Sequence, residues 1–263
     1  MKSLLKLLFL AIFAIYLTLP APADAVTPEK PLGFAPKKTA KHLVIYFHAL
    51  SGVPQEPFLV PIKGASIVDA VKSAYPGAGF LSLDYDPAQV LAGNFSTIDD
   101  TIKAYTKEFP NIQSISLCGS SFGGYTALSY YTRASKDVQS LVKGVVATGV
   151  PDDLNLLSKS SKDKEVREFL LHELTASNKP TYLKDRSLSQ IYKSLKKPTN
   201  VYLIVMKNDV IVPAACNKDL EANLQAKGCK VSIEKIDGGH GFPSIYFLEH
   251  GFHFITKDAK TLN

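Results

Sequence analysis

The sequence predicts an α/β fold: a mostly parallel sheet of about six to eight strands with helices on both faces. Three observations carry this. Short β-branched runs alternate with amphipathic stretches from residue 41 onward, the pattern of strands joined by crossover helices. The runs are apolar at successive positions rather than at every second one, as strands covered on both faces must be. The chain has 263 residues, 46% of them hydrophobic and 21% charged, which suits one large domain with a sizeable core.

In chain order, the first element lies outside that core. Lys2 and Lys6 flank the start of the apolar run "LLFLAIFAIYLTL", which Pro20 ends before the small-residue tripeptide Ala23-Asp24-Ala25. This reads as a secretory signal peptide over residues 1–25, cut after Ala25, and implies an exported, periplasmic or secreted protein. The alternative is an uncleaved anchor, although the run from Leu7 to Leu19 is short against the roughly 20 residues a spanning helix needs. No cysteine near the cut suggests lipidation. Residues 26–40, with Pro28, Pro31 and Pro36, read as an N-terminal arm or truncated sheet edge.

The strand candidates are "HLVIYFH" (42–48), "GFLSLDY" (79–85), "IQSISLCG" (112–119), "VKGVVATG" (142–149), "NVYLIVMK" (200–207) and "CKVSIEKI" (229–236). Helices are expected over "GASIVDAVKSAY", "STIDDTIKAYTKEF", "SFGGYTALSYYTRA", "PAACNKDLEANLQAKG" and "PSIYFLEHGFHFITKDA", several opening on Ser, Thr or Pro and closing near Gly or Pro. Ser96 or Thr97 is expected to start its helix, because Asp99 and Asp100 favour an N-terminus there. Residues 151–198 are too many for one loop and one helix. They are expected to add two or three amphipathic helices capping one face of the 41–263 domain, with a long lysine-rich crossover helix as the alternative.

Composition excludes some functions. Losing residues 1–25 removes Lys2, Lys6 and Asp24 and leaves a net charge of +5. That excess is spread along the chain without a basic block or interleaved aromatics, so nucleic acid is not the expected partner. Peripheral contact with an anionic membrane surface is compatible with it. Cys118, Cys216 and Cys229 are the only cysteines. A single helix between Cys216 and Cys229 would hold their sulfurs about 18 Å apart, against the roughly 7 Å between Cα atoms that a disulfide tolerates. Three buried or half-buried thiols are expected instead. No CxxC or clustered His/Cys arrangement suggests a metal.

"SLCGSSFGGYTAL" carries the chemistry. A nucleophilic serine needs a sharp turn that exposes its hydroxyl, a base within reach and donors for an oxyanion. Gly-x-Ser-x-Gly between a strand and a helix supplies the turn. Centred on Ser121, the flanking positions are Gly119 and Gly123; centred on Ser120 they are Cys118 and Phe122, whose side chains would crowd it. Ser121 is therefore the candidate nucleophile. Among six histidines, His42 and His48 flank the first strand, and His172, His250 and His253 lie on helical patterns. His240, in the glycine-rich "DGGHGFP" after the last strand, is the candidate general base. Asp209 in "LIVMKNDVIVP" is the preferred orienting acid, with Asp152 and Asp153 as rivals and Asp237 too close along the loop to His240.

The order Ser121, Asp209, His240, carried by "GSSFGG", "KNDVIVP" and "GGHGF", resembles the α/β-hydrolase superfamily of serine hydrolases over residue 41 to the C-terminus. The elbow and the Asp-x-x-x-Pro turn are similar to those of small esterases and of prolyl-oligopeptidase-type peptidases alike. The resemblance implies acyl transfer without a cofactor. It also implies that "FHALSG" is the oxyanion loop, with Leu50 and Phe122 as backbone donors, although Ala49 stands where glycine is usual. The expected activity is hydrolysis of a small-molecule carboxylic ester (the EC 3.1.1 class). The alternatives are a peptidase or amidase, for which no N-terminal propeller is visible, and a binding protein built on a hydrolase fold.

Overall fold

The computed structural model describes residues 32–34, 39–59, 66–241 and 243–256; the proposed signal peptide and most of the 26–40 arm lie outside them. Seven strands form one sheet: β1 (Leu32–Phe34), β2 (His42–Phe47), β3 (Gly79–Leu83), β4 (Ser114–Ser120), β5 (Val142–Thr148), β6 (Asn200–Met206) and β7 (Lys230–Ile236), in the order β1-β3-β2-β4-β5-β6-β7. β2 to β7 are parallel. Every residue of β2, β3 and β4 is buried, which is why these runs lack polar alternation. β1 pairs antiparallel with β3 through Leu32–Ser82 and Phe34–Phe80. Part of the arm thus closes one sheet edge with a three-residue strand too short to leave a periodic signal.

The described helices are α1 (Glu56–Leu59), α2 (Ile67–Ala74), α3 (Pro87–Ala92), α4 (Ser96–Glu108), α5 (Phe122–Arg133), α6 (Lys136–Leu141), α7 (Leu154–Ser160), α8 (Lys164–Ser177), α9 (Tyr182–Asp185), α10 (Leu188–Ile191), α11 (Leu220–Gln225) and α12 (Ile245–Thr256). They cover both faces. On one side Tyr125, Leu128 and Tyr130 of α5 pack with Ile45, Leu117 and Val145 of the sheet and with Leu91 and Ile102 of α3 and α4. On the other, Val68 and Val71 of α2 and Leu248 and Phe252 of α12 pack on Val44, Tyr46, Val146 and Ile204. Ser66 and Asp69 cap α2 reciprocally, removing two orphan donors at its start. α4 begins at Ser96 as expected, with Phe95 at its N-cap; the side-chain oxygen of Asn94, one residue earlier, accepts from Ser96 N (3.2 Å) and Ser96 Oγ (2.8 Å).

Two expectations need correction. The stretch from Ala214 to Gly228 is not one helix: a 3₁₀ turn over Ala214–Asn217 is separated from α11 by Lys218 and Asp219. The geometric argument from a continuous helix between Cys216 and Cys229 therefore fails, although both are buried free thiols, as is Cys118. The interval after β5 holds more than the two or three helices expected, and it is not the single long crossover helix of the alternative. It carries α7 to α10 and a 3₁₀ turn over Tyr192–Ser194. Asp153 and Asp163 cap α7 and α8 through their side chains, and Asn178 ends α8 in the left-handed conformation at φ 50°, as C-terminal stops commonly do.

The strand order reverses between β2 and β4. In an open parallel sheet the crevice beyond the carboxyl ends at such a reversal is where ligands bind. The chain leaves β2 there into "HALSG" and leaves β4 there into Ser121.

Candidate active site

Ser121 links β4 to α5 in a conformation side chains rarely adopt, φ 54° and ψ −124°, held because its surroundings over-determine it. Its N–H donates to Thr148 O of β5 at 2.7 Å, and its own carbonyl accepts from Tyr125 N at 3.1 Å. The glycines permit close approach. A Cβ on Gly123 would lie 2.6 Å from His48 O and nearer still to Phe47 O, and one on Gly119 would run into Gly123 and Gly124. Ser120 ends β4 against Tyr46, Cys118, Leu248 and Phe252, on the opposite face from the helix that Ser121 opens. The two serines are thus separated by the pleat of the strand.

His240 Nδ1 meets Asp209 Oδ2 at 2.7 Å, with the carboxylate side chain 2% exposed and the imidazole 15%. Asp209 Oδ1 accepts from Ile211 N (2.9 Å) and Val212 N (2.8 Å). Both carboxylate oxygens are therefore engaged, one by the turn and one by the imidazole. The rivals are occupied elsewhere. Asp153 caps α7, Asp152 accepts from Ser189 N at 2.7 Å, and the exposed Asp237 pairs with Lys207 at 3.2 Å. His240 Cε1 would lie 3.3 Å from a Cβ on Gly149, the residue after the Thr148 that anchors Ser121, so imidazole and serine share one sheet edge. Among the described residues the Ser121 hydroxyl has no hydrogen-bond partner, His240 included. Free enzymes commonly hold such contacts open until substrate binds.

The "HALSG" loop is fixed from several directions. Tyr85 OH donates to His48 O at 2.6 Å, and the imidazole of His48 stacks on the Tyr85 ring with centroids 4.3 Å apart. His48 Nδ1 lies 2.7 Å from Ala49 O. Ala49 O can only accept, so Nδ1 is the donor in this pair, and burial keeps the imidazole toward its neutral form. Ala49 has no left-handed backbone angle, so the alanine sits there without strain. Leu50 and Phe122 line one crevice with Ser121, Pro151, Leu157, Val166, Phe169, Leu170 and Val212. The crevice has about 10 Å³ of water-accessible space, room for roughly one water.

The same architecture recurs in solved structures. Esterase B from Lactobacillus rhamnosis superposes with a TM-score of 0.64 at 15% identity, covering 98% of this chain and 94% of that one. The chain has the α/β-hydrolase fold. An esterase of Pyrococcus furiosus matches this fold with a TM-score of 0.60 at 14% identity, over 91% of this chain and 96% of that one. A puromycin-hydrolyzing peptidase of Mycobacterium tuberculosis matches at 0.61 and 15%, over 90% of this chain but only 40% of its own. The chain likewise spans 35% of a puromycin hydrolase. No family model and no curated protein sequence matches.

Within this hydrolase fold, Ser121 follows β4, Asp209 follows β6 and His240 follows β7. Sequence reading passed over Glu56, whose Oε2 accepts from Ala49 N at 3.0 Å. Its one legible signal is "SGVPQE", a glycine four residues before a carboxylate, beside "HALSG".

Proposed function

We propose that the chain is a serine hydrolase that cleaves carboxylic esters of small molecules through an acyl-enzyme. The observation that carries this reading is the Asp209–His240 hydrogen bond at the sheet edge where the strained elbow presents Ser121. His240 Nε2 takes the Ser121 proton as Oγ attacks the acyl carbon. Asp209, held by two backbone amides, keeps Nδ1 protonated and stabilises the imidazolium. Phe122 N–H, at the start of α5, and Leu50 N–H receive the tetrahedral oxyanion, helped by the positive end of the helix. His240 then protonates the leaving alkoxide, and water repeats the sequence to release the acid.

The lining of the crevice favours an ester over an aminoacyl amide. Its side chains are those of Leu50, Phe122, Pro151, Leu157, Val166, Phe169, Leu170 and Val212 beside the serine. Among these no carboxylate stands ready to pair with a free α-ammonium group, and burying an unpaired charge there would be costly. Phe169 and Leu170 of α8 close the crevice beside Ser121, which favours a short acyl group.

The deciding experiment sets p-nitrophenyl esters of increasing acyl length beside aminoacyl p-nitroanilides, with Ser121→Ala as control. The reading expects cleavage of acetate and propionate esters that Ser121→Ala lacks. Anilide cleavage without ester cleavage would assign a peptidase, the activity of one structural neighbour. Full activity in Ser121→Ala would remove the serine from the mechanism. We also propose export with cleavage after Ala25, checked by N-terminal sequencing of the protein recovered outside the cytoplasm.

A further inference from the structure

The two peptide units on either side of Ala49 are held almost completely. In the first, His48 O accepts from Tyr85 OH and Ala49 N donates to Glu56 Oε2. In the second, Ala49 O accepts from Gly52 N at 3.0 Å and from His48 Nδ1 at 2.7 Å. Leu50 N–H, the remaining polar group of the second unit, has no acceptor among the described residues. A peptide unit is planar and trans, so fixing its carbonyl on one side aims its N–H to the other. The first unit sets the plane from which the second departs, and among the described residues Glu56 supplies its one side-chain acceptor.

Glu56 is itself placed for this role. Its N–H donates to Val53 O at 2.9 Å, which begins the short helix α1 and turns the carboxyl back over the loop. A Cβ on Gly52 would lie 2.6 Å from Glu56 Oε2 and 2.9 Å from Ala49 N, so the bond requires a glycine there. Burial raises the carboxyl above its ordinary range, while the Ala49 amide and the Tyr46 hydroxyl beside it oppose that rise.

We infer that Glu56 is a positioning residue: by accepting from Ala49 N–H it orients the Ala49–Leu50 peptide so that Leu50 N–H is directed at the oxyanion. The inference rests on the acyl-transfer reading above. Outright removal of one oxyanion donor costs about 10²–10³ in rate, and misaiming a donor that is still present costs less.

The test compares wild type, Glu56→Ala, Glu56→Gln and Gly52→Ala on p-nitrophenyl acetate, with thermal melting of each and inhibition by a trifluoromethyl ketone that forms a tetrahedral adduct. Glu56→Ala should lower kcat by about 10- to 100-fold with KM within about threefold, and weaken the ketone by a matching factor, because only the tetrahedral species uses the donor. Glu56→Gln keeps an acceptor oxygen and should recover most of the loss. Gly52→Ala, which displaces the carboxyl without deleting it, should behave like Glu56→Ala and serves if that variant does not fold. Wild-type kcat in Glu56→Ala, a loss confined to KM, or a Gln variant no better than Ala would overturn the assignment. Ser121→Ala runs alongside: if it keeps activity the acyl-enzyme reading fails, whereas an inactive Ser121→Ala beside a normal Glu56→Ala removes the role of Glu56 alone.

Discussion

Asp209 holds His240 with one carboxylate oxygen, at 2.7 Å, while its other oxygen is tied to the backbone of Ile211 and Val212. The acid is thus rigid before it orients anything. Asp209→Asn keeps the size and can keep the amide contacts, but its nitrogen would face Nδ1 and favour the wrong tautomer. Turnover of p-nitrophenyl acetate should fall by about 10⁴ with little change in melting temperature, read by steady-state kinetics and calorimetry on the same samples.

The two adjacent serines should separate cleanly. Ser121→Ala is expected to abolish labelling by a fluorophosphonate and to reduce turnover to the background of the assay. Ser120 faces the α2/α12 side of the sheet, so Ser120→Ala should retain labelling and substantial activity. Equal loss in both variants would contradict the assignment of the nucleophile.

Gly123→Ala tests the elbow through its packing. The new methyl would overlap the carbonyls that close β2, and forcing a methyl into a filled space costs typically 1–3 kcal/mol. Denaturant unfolding should show a drop of about that size, together with loss of activity as the start of α5 moves away from the loop.

Acyl length should be set by the cap. Phe169 of α8 stands edge-on to Phe122, with ring centroids 5.9 Å apart, and closes the crevice beside Ser121. Phe169→Ala should raise kcat/KM for hexanoate relative to acetate by about tenfold, the scale on which pocket methylenes discriminate. An unchanged ratio across the ester series would place the acyl group elsewhere.

His42 should make stability depend on pH. It lies buried between Ser114 Oγ (2.7 Å) and Ser116 Oγ (3.0 Å). Burial first and Lys143 second lower its pKa from the ordinary 6.5 to about 3. The folded state therefore refuses a proton that the unfolded chain accepts below about pH 6.5, and stability falls toward pH 3 by roughly 1.4 kcal/mol per unit. Between pH 7 and pH 5 His42 should account for a loss of about 2 kcal/mol that His42→Gln does not show, measured by urea unfolding at both values.

Much of the fold was legible because its causes are local. β2 to β6 read as continuous apolar runs since both their faces are covered, whereas β7 at the sheet edge is half-exposed and its "KVSIEKI" is not apolar throughout. The elbow read from glycine spacing since a Cβ at residue 119 or 123 would meet backbone. β1 was not legible: three residues at an edge carry no period. The segment after Pro213 read as one helix because its side chains are helix formers, yet the chain turns at Lys218 and Asp219 to lay α11 on the sheet edge.

By itself the sequence determined the alternation of strands and helices and the glycine-flanked turn that carries Ser121 between β4 and α5, because each is decided by residues a few positions apart. Only the tertiary structure decided which of four aspartates meets His240, 31 residues from Asp209 along the chain. It alone showed that side chains of α7 and α8 line the crevice beside Ser121, and that Glu56 Oε2 accepts from Ala49 N. Those contacts join side chains from separate elements, and their partners become neighbours only when the sheet brings its carboxyl ends to one edge.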